Sequence, residues 1–299
     1  MNNISELQLK KRTAKLSIYS NGLLIVLKLF AGFWSGSVSI ISEAIHSSLD
    51  LLASIIAFIA VKISHKPADK DHPYGHGKFE NVSGVIESLL IFVAAVWIIA
   101  EAWQKLFTQH SIANNDSLIW GIIVMAISAV VNFFVSRRLY KVARKTDSVA
   151  LEADALHLKT DVYTSVGVSL GLVVIYFTSW YLLDAIIAIA VALLIIYEAF
   201  QMLKKSFDPL LDTSLPETQS ESIREIIKIN LPAECSCTSL KTRKSGQNTM
   251  IEFVLITPEN YTVKKADEIA KHLKHQLSYL TKNIFVQIII QPKSPEENT

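Results

Sequence analysis

The sequence predicts an α-helical membrane protein with six transmembrane helices, followed by a small cytosolic α+β domain in the order α-β-β-α-β. Three observations support this fold class. Apolar residues make up 51% of the 299 residues, and the mean hydropathy is +0.34, which soluble domains seldom reach. The long apolar stretches contain no proline, as uninterrupted helices require. Positive charges are concentrated in alternate loops, as in a chain that crosses a membrane repeatedly.

Composition argues against several other classes of protein. The net charge is only +2, which gives no support to nucleic-acid binding. The two cysteines, Cys235 and Cys237, are too few for a secreted scaffold held by disulfides. The apolar content also disfavours a soluble enzyme and a disordered chain. We therefore expect a membrane protein with a polar part attached and no nucleic-acid partner.

Six apolar segments are long enough to cross a membrane. A span of about 30 Å of hydrocarbon needs about 20 residues at about 1.5 Å per residue. The fifth segment is the least apolar, because its first half carries charged side chains, and that half alone also fits a surface helix. The segments are 14–34, 38–63, 82–104, 117–136, 150–178 and 181–203.

The positive charges predict how these segments are oriented. Clusters of Lys and Arg lie in the N-terminal tail, after segments two and four, and after segment six, whereas the opposite loops hold only Lys105. Because positive residues stay on the cytoplasmic side, both termini are expected to be cytoplasmic. This arrangement requires an even number of crossings, which supports counting the fifth segment. We expect the first helix to be retained, since no small-residue cleavage site follows it.

After Phe207 the pattern becomes that of a small polar domain. Apolar residues recur at helical spacing in two stretches and alternate in three others, with a Ser-Gly-Gln-Asn turn between the first two strands. The predicted elements are a helix at 217–230, strands at 238–244 and 249–257 around a turn at 245–248, a helix at 262–280 and a strand at 284–291. The predicted domains are 1–208 transmembrane, 209–292 cytosolic α+β, and 293–299 a flexible tail.

Two His-x3-Asp pairs lie inside predicted membrane helices. His46 and Asp50 belong to segment two, and His157 and Asp161 to segment five. A spacing of four places each pair on one helix face, and ionisable groups at this depth are costly unless paired or functional. In antiparallel helices Asp50 lies level with His157, so two imidazoles and two carboxylates converge into a set suited to Zn²⁺. The alternative is two interhelical hydrogen bonds that serve only packing.

A second candidate site lies in the loop between segments two and three. Asp69, His72 and His76 form an Asp-x2-His-x3-His pattern. A short loop can fold these side chains around a second metal ion, because all three residue types ligate zinc. The alternative is a polar loop whose histidines bind nothing.

The sequence resembles the cation diffusion facilitator transporters, which export zinc and other divalent metals. The resemblance covers about residues 10–292. It rests on the paired His-x3-Asp motifs, on the sequence HPYGHGKFE from His72 to Glu80, and on six helices followed by an α+β domain. It implies a homodimer that exchanges cytosolic metal for external protons. It also implies that the paired motifs form the transport site, that their His-Asp/His-Asp version belongs to the zinc-type efflux branch, and that the three loop residues match the family's loop site.

The cytosolic domain departs from the family pattern. Some members bind two zinc ions there, mainly through histidines, and the residues at those positions here cannot replace imidazoles. They are Thr238, Val254, Ala266 and either Ile290 or Gln291. The two cysteines offer a substitute zinc site, since thiolates suit zinc. The alternative is that they are ordinary reduced thiols.

These observations predict a divalent metal transporter and not an enzyme. The expected activity is Zn²⁺/H⁺ antiport that exports cytosolic zinc by alternating access, with zinc as the substrate and protons as the counter-ion. The expected partners are the metal ion, the lipid bilayer and a second copy of the chain, in a bacterial inner membrane. The alternatives are an exporter of Fe²⁺, Mn²⁺, Co²⁺ or Cd²⁺, a metal sensor or channel, and an intramembrane zinc enzyme. The enzyme is disfavoured because four ligands leave no open position on the metal and the sequence has no H-E-x-x-H motif.

Overall fold

The chain forms two compact units, Met1–Phe207 and Asp208–Thr299. The computed structural model describes most residues of both units. Within the helices, some of the described residues have side chains that it does not describe. The described ranges are 3–35, 38–107, 115–178, 182–280 and 283–293.

Six long helices make up the described part of the first unit. Each coincides with one of the predicted apolar segments and is longer than it, by one residue in α2 and α5 and by more in the others. The helices are α1 (Asn3–Ser35), α2 (Val38–Ser64), α3 (Phe79–Phe107), α4 (Asn115–Thr146), α5 (Val149–Thr178) and α6 (Leu182–Phe207).

Helix α5 lies at the centre of this unit. Its residues Leu151, Ala155 and Leu158 are buried in one apolar cluster with α1, α2 and α4. On another face of the same helix, Ala153 and Leu156 are buried in a second cluster with α3 and α6. A helix that is apolar on several faces is typical of the interior of a bundle. Among the polar side chains of α5, Asp154 and His157 are accordingly buried inside the helical unit.

The outer surface of the helical unit exposes large apolar side chains. Phe33, Trp97 and Phe134 are 74%, 72% and 65% exposed. Large apolar patches of this kind fit contact with lipid. By length and composition, two stretches among the described residues qualify as membrane spans, Ser5–Ala31 and Phe79–Gln104. The predicted total of six crossings stays a prediction.

The second unit has the predicted order α-β-β-α-β. A short 3-10 turn, Asp208–Leu211, precedes it, and the strands form one sheet in the order β1-β2-β3. The first two strands are antiparallel and the last two are parallel, so α8 is the crossover between β2 and β3. The elements are α7 (Glu217–Asn230), β1 (Ser236–Ser245), β2 (Asn248–Thr257), α8 (Val263–Leu277) and β3 (Ile284–Pro292).

The two faces of this sheet differ. On β2, Ile251, Phe253 and Leu255 are fully buried in a core that α7 and α8 complete. On β3, Phe285 is 68% exposed and Ile289 is 49% exposed. Because side chains alternate along a strand, these residues lie on the other face. We call this the open sheet face; it also carries the partly exposed Met250 and Val254 of β2.

Several predicted boundaries were wrong in detail. The β1–β2 loop contains two residues and not four, because Ser245 pairs with Asn248, and Gly246 takes a φ of 58° that favours glycine. Helix α8 ends at Leu277 instead of 280. The backbone N–H of Lys293, the first residue of the predicted tail, donates to the Thr257 carbonyl at 2.8 Å. The rest of that tail, 294–299, lies outside the described residues.

Candidate metal sites

A buried histidine and a buried aspartate meet between α2 and α5. The Nε2 atom of His157 lies 3.0 Å from Oδ1 of Asp50, and each residue is only 6% exposed. This is the contact that depth counting along two antiparallel helices predicts. At this distance Nε2–H donates to the carboxylate. The pair therefore holds one proton at the place where a metal ion would bind both atoms.

Asp161 completes a three-residue cluster with this pair. One ligand atom from each of Asp50, His157 and Asp161 lies within 4.8 Å of the others. Asp161 is half-buried, and the Asn132 side-chain amide on α4 donates to its Oδ2 at 3.3 Å. An amide donor of this kind orients a ligating carboxylate. The fourth predicted member, His46, lies on α2 one turn before Asp50, and its side chain lies outside the described residues.

Polar side chains of α1 and α2 form hydrogen bonds next to the cluster. The Asn21 amide donates to the Asp50 backbone carbonyl at 3.3 Å and to Ser54 Oγ at 2.8 Å. Ser54 Oγ in turn donates to Asp154 Oδ1 at 2.9 Å. These hydrogen bonds fix the backbone that carries Asp50. Asp154 lies one turn before His157 on α5 and is one of the charged side chains that make the first half of segment five less apolar.

The loop after α2 brings together the three residues of the second predicted site. Asp69 Oδ2 lies 3.3 Å from His76 Nε2, and Asp69 Oδ1 lies 3.5 Å from His72 Nδ1. The two imidazole rings are 4.3 Å apart, and Phe79 packs against both. All three ligand atoms lie within 4.8 Å of one another. The loop thus presents a compact N2O set at the start of α3.

The backbone of this loop prepares Asp69 and His76 for a cation. The backbone N–H groups of His72 and Asp71 donate to Asp69 at 2.8 and 3.1 Å, and the first of these holds the pKa of Asp69 below its usual range. His76 Nδ1 lies 3.2 Å from the Pro67 carbonyl, so Nδ1 carries the proton and Nε2 offers a lone pair. A lone pair and a carboxylate that face each other attract a cation.

Ion pairs fix the helices around both clusters. Lys10 Nζ and Glu80 Oε1 are 2.9 Å apart and fully buried between α1 and α3. Two pairs join α5 to α6: Lys159 with Glu198 at 2.9 Å, and Lys205 with Glu152 at 2.7 Å. Both members of each α5–α6 pair are at least partly exposed, so solvent or lipid headgroups weaken these ion pairs.

The two metal-ligating groups of three or more side chains found among the described residues both belong to the first unit. In the second unit, Cys235 is buried and Cys237 is partly buried. Burial raises the pKa of both thiols. Protonated thiols are poor zinc ligands, so this burial disfavours zinc binding by the two cysteines near neutral pH.

Comparison with known proteins places the chain in a family. The family model for the cation efflux transmembrane domain matches residues 14–211, more than half of the chain. This chain belongs to the cation diffusion facilitator family. The resemblance inferred from the paired motifs and the loop sequence is thereby confirmed. A second family model, for the cytoplasmic domain of cation efflux proteins, matches residues 215–292 of this cation diffusion facilitator. The first unit is thus the family's helical transmembrane domain, and the second unit is its cytoplasmic domain.

Curated relatives of this cation diffusion facilitator are named as transporters or pumps. It is 33% identical to the uncharacterized transporter sll1263 of Synechocystis sp., over 89% of this chain and 85% of that one. It is 29% identical to the cation-efflux pump FieF of Citrobacter koseri, over 90% and 88% of the two chains. The FieF of Yersinia pestis is also 29% identical, over 86% and 84%. The family moves divalent metal cations, whereas the metal, the counter-ion and the roles of single residues stay predictions here.

Proposed function

We propose that this protein is a Zn²⁺/H⁺ antiporter that exports cytosolic zinc, with His46, Asp50, His157 and Asp161 as its transport site. The contact between His157 Nε2 and Asp50 Oδ1 is the observation that carries the proposal. Tetrahedral zinc with bonds of about 2.0–2.1 Å separates its ligand atoms by about 3.3 Å. The observed distance is 3.0 Å. A shift of a few tenths of an ångström therefore exchanges the shared proton for a metal ion.

This exchange couples zinc to protons. Nε2 of His157 cannot donate to Asp50 and bind zinc at the same time, so zinc displaces at least one proton when it binds. When the site opens to the outside, protons compete for the same atoms and help to release the metal. Asn132 holds the Asp161 carboxylate in place during both steps, and Asn21 holds the Asp50 backbone.

Alternating access requires the site to face each side in turn. We infer six crossings with both termini in the cytoplasm, in a bacterial inner membrane, and a division into a transport domain (1–208), a cytosolic domain (209–292) and a tail (293–299). Helix α5 carries two ligands, and its ion pairs with α6 make these two helices move together. The support for this arrangement is the asymmetry of positive charge and the apolar outer surface of the helices.

We infer that Asp69, His72 and His76 hold a second zinc ion on the cytoplasmic side. Their distances of 3.3 and 3.5 Å match the ligand separations of about 3.3 Å in a tetrahedral site. With three protein ligands, this site keeps one position for water and exchanges its metal more readily than a closed site. Its role is to raise the local zinc concentration near the transport site.

We also infer that the protein is a homodimer through the open sheet face. Phe285 and Ile289 leave an apolar surface uncovered on the cytoplasmic domain, and the family model for that domain is the cation efflux dimer module. A second copy of the same face covers this surface with like residues, as a two-fold interface requires.

The decisive experiment is reconstitution of the full chain in sealed vesicles, with zinc flux and internal pH recorded together. Wild type should move zinc with opposite proton flow. Asp50→Asn with Asp161→Asn should abolish both. The control, Asp71→Asn, removes an exposed carboxylate that belongs to neither metal cluster and should keep both. Zinc flux that survives the double substitution would refute the transport site, and flux without proton movement would refute antiport.

The same assay separates the alternatives. Competition of Fe²⁺, Mn²⁺, Co²⁺ and Cd²⁺ with zinc flux identifies the preferred metal. An ion that inhibits this flux more strongly than unlabelled Zn²⁺ does would be the better candidate for the substrate. Zinc binding without saturable flux would favour a sensor. Hydrolysis that disappears with His157→Ala would favour an enzyme.

A further inference from the structure

Two side-chain hydrogen bonds join α2 to α5, one helical turn apart. The first is the contact of 3.0 Å between His157 Nε2 and Asp50 Oδ1. The second runs from Ser54 Oγ to Asp154 Oδ1 at 2.9 Å. Ser54 follows Asp50 by one turn of α2, whereas Asp154 precedes His157 by one turn of α5. The two helices are therefore antiparallel here and are linked at two successive levels.

The Ser54–Asp154 hydrogen bond is shielded from water and fixed by α1. Ser54, Asp154 and the neighbouring Ser17 have no exposed surface. The Asn21 amide nitrogen and the Ser17 hydroxyl oxygen lie 2.8 and 2.9 Å from Ser54 Oγ. Since the single hydroxyl proton of Ser54 goes to Asp154, both of these groups donate to Ser54. The network thus has one arrangement of its hydrogen bonds.

The two links between α2 and α5 respond differently to a bound metal ion. Zinc that binds Nε2 of His157 and an oxygen of Asp50 replaces the hydrogen bond between them. Asp154 is not a member of the three-residue metal cluster, so its hydrogen bond from Ser54 is kept. This second link therefore holds α2 and α5 at the same separation with and without the metal.

We propose that the Ser54–Asp154 hydrogen bond sets the size of the ion that the transport site accepts, with Ser54 and Asp154 as positioning residues. This inference rests on the proposed function. Zinc needs ligand atoms about 3.3 Å apart, and a larger ion needs them farther apart. Because Asp50 and His157 come from different helices, a larger ion must push α2 and α5 apart against the second link. The link thus disfavours large ions at the neighbouring ligands.

The ratio of the affinities for Zn²⁺ and Cd²⁺ reports this effect separately from charge. The two ions carry the same charge and the same filled d shell, and Cd²⁺ is the larger. The negative charge of Asp154 attracts both ions alike, so its loss lowers both affinities and leaves their ratio. A general loss of stability also weakens both. A change in ligand separation, in contrast, changes the ratio.

The test is metal binding to the purified full chain, measured by equilibrium dialysis with Zn²⁺ and Cd²⁺. A His76→Ala background disables the loop site. In this background the affinity ratio should favour zinc. Ser54→Ala and Asp154→Ala each remove the hydrogen bond and should lower the ratio about fivefold or more. Asp154→Asn, whose side-chain oxygen still accepts from Ser54, should keep the ratio within about twofold.

Two further variants sharpen the test. Ser54→Ala with Asp154→Ala should change the ratio no more than either single substitution, because both remove the same hydrogen bond. The matched control is Ser88→Ala on α3, which removes another buried hydroxyl. That hydroxyl donates to the Gly84 carbonyl of its own helix at 2.6 Å. The control should therefore leave the ratio unchanged.

An unchanged ratio in Ser54→Ala and Asp154→Ala overturns the proposal, and so does a wild-type site that does not prefer zinc to cadmium. A ratio that falls as far in Asp154→Asn as in Asp154→Ala also overturns it, because charge is then the cause. The vesicle assay tests the proposed function separately. Selective binding without proton flow refutes antiport alone, and coupled flux with an unchanged ratio in the variants refutes the role of Ser54 and Asp154 alone.

Discussion

Lys10 of α1 and Glu80 of α3 form an ion pair that is shut off from solvent, with 2.9 Å between Nζ and Oε1. Glu80 also accepts hydrogen bonds from Ser64 at the end of α2 and from Ser148 just before α5, at 2.9 and 2.5 Å. One carboxylate thus joins α1, α2, α3 and the linker between α4 and α5 at the same end of the unit. Its partners are separated from it by as many as 70 residues in the chain.

Removal of one partner of this pair should destabilise the protein strongly. Lys10→Met leaves Glu80 buried without its cation, which typically costs about 3–5 kcal/mol. Lys10→Met with Glu80→Gln should recover part of this loss, because no unpaired charge remains. Thermal unfolding of the detergent-solubilised chain measures both. Equal destabilisation by the single and double variants would show that the ion pair is not the source of the loss.

Gly84 should be intolerant of a side chain. A Cβ at this position of α3 would collide with Ser206 of α6 and lie 2.9 Å from Val149 at the start of α5. Overpacking of this kind costs about 1–3 kcal/mol, so Gly84→Ala should lower the unfolding temperature. The matched control is Gly22→Ala on α1, where a Cβ meets nothing within 4 Å. That change should be neutral or stabilising, because alanine favours the helix. Equal losses in both variants would contradict close packing of α3 on α6.

Asp69→Asn should weaken zinc at the loop site without unfolding the loop. The asparagine oxygen still accepts the two backbone hydrogen bonds, while the negative charge is lost. The lowered pKa of Asp69 keeps its carboxylate ionised as the pH falls through the ordinary range of aspartate, and the charge is lost only below that range. The affinity should therefore fall about tenfold at both pH 7.5 and pH 6.

The control for this prediction is Asp71→Asn, an exposed neighbour whose carboxylate is not part of the cluster. It should leave zinc binding unchanged. Zinc binding by an Asp50→Asn chain isolates the loop site in the measurement. Full affinity in the Asp69→Asn variant would remove Asp69 from the ligand set.

Features that depend on local spacing could be predicted from the sequence, whereas contacts between residues far apart in the chain could not. Helix positions and the Asp50–His157 contact follow from local spacing and from depth in the bilayer, because helical geometry is regular. The Lys10–Glu80 ion pair has no such signal. Its two members are 70 residues apart in the chain, and only the folded helical unit brings them together. Strand ends depended on the φ of Gly246, which the residue order does not specify.

The thiols of the cytoplasmic domain should react slowly at neutral pH. Burial raises the pKa of Cys235 and Cys237, so the reactive thiolate is scarce below the ordinary thiol range and increases only as the pH rises above it. Alkylation by iodoacetamide, followed by mass spectrometry, should accelerate steadily from pH 7 to above pH 9. Added zinc should not protect these cysteines. Strong protection at pH 7 would instead identify a thiolate metal site.

The open sheet face should control the oligomeric state. Phe285→Glu replaces a 68% exposed apolar side chain of this face with a charged one. It should shift the full chain towards monomer in light scattering after size-exclusion chromatography. The control is Val263→Glu, which changes an 85% exposed apolar residue at the start of α8, away from that face. A Phe285→Glu chain that stays dimeric would place the interface elsewhere.

The two ion pairs between α5 and α6 also provide a way to observe the protein at work. Lys159–Glu198 and Lys205–Glu152 fasten the ligand-bearing helix to a neighbour whose Tyr197 is 64% exposed. A spin label attached at position 197, in a chain without its native cysteines, would move together with His157 without replacing any of the metal ligands. Distances measured from it by electron resonance would report the inward and outward states in lipid, with and without zinc.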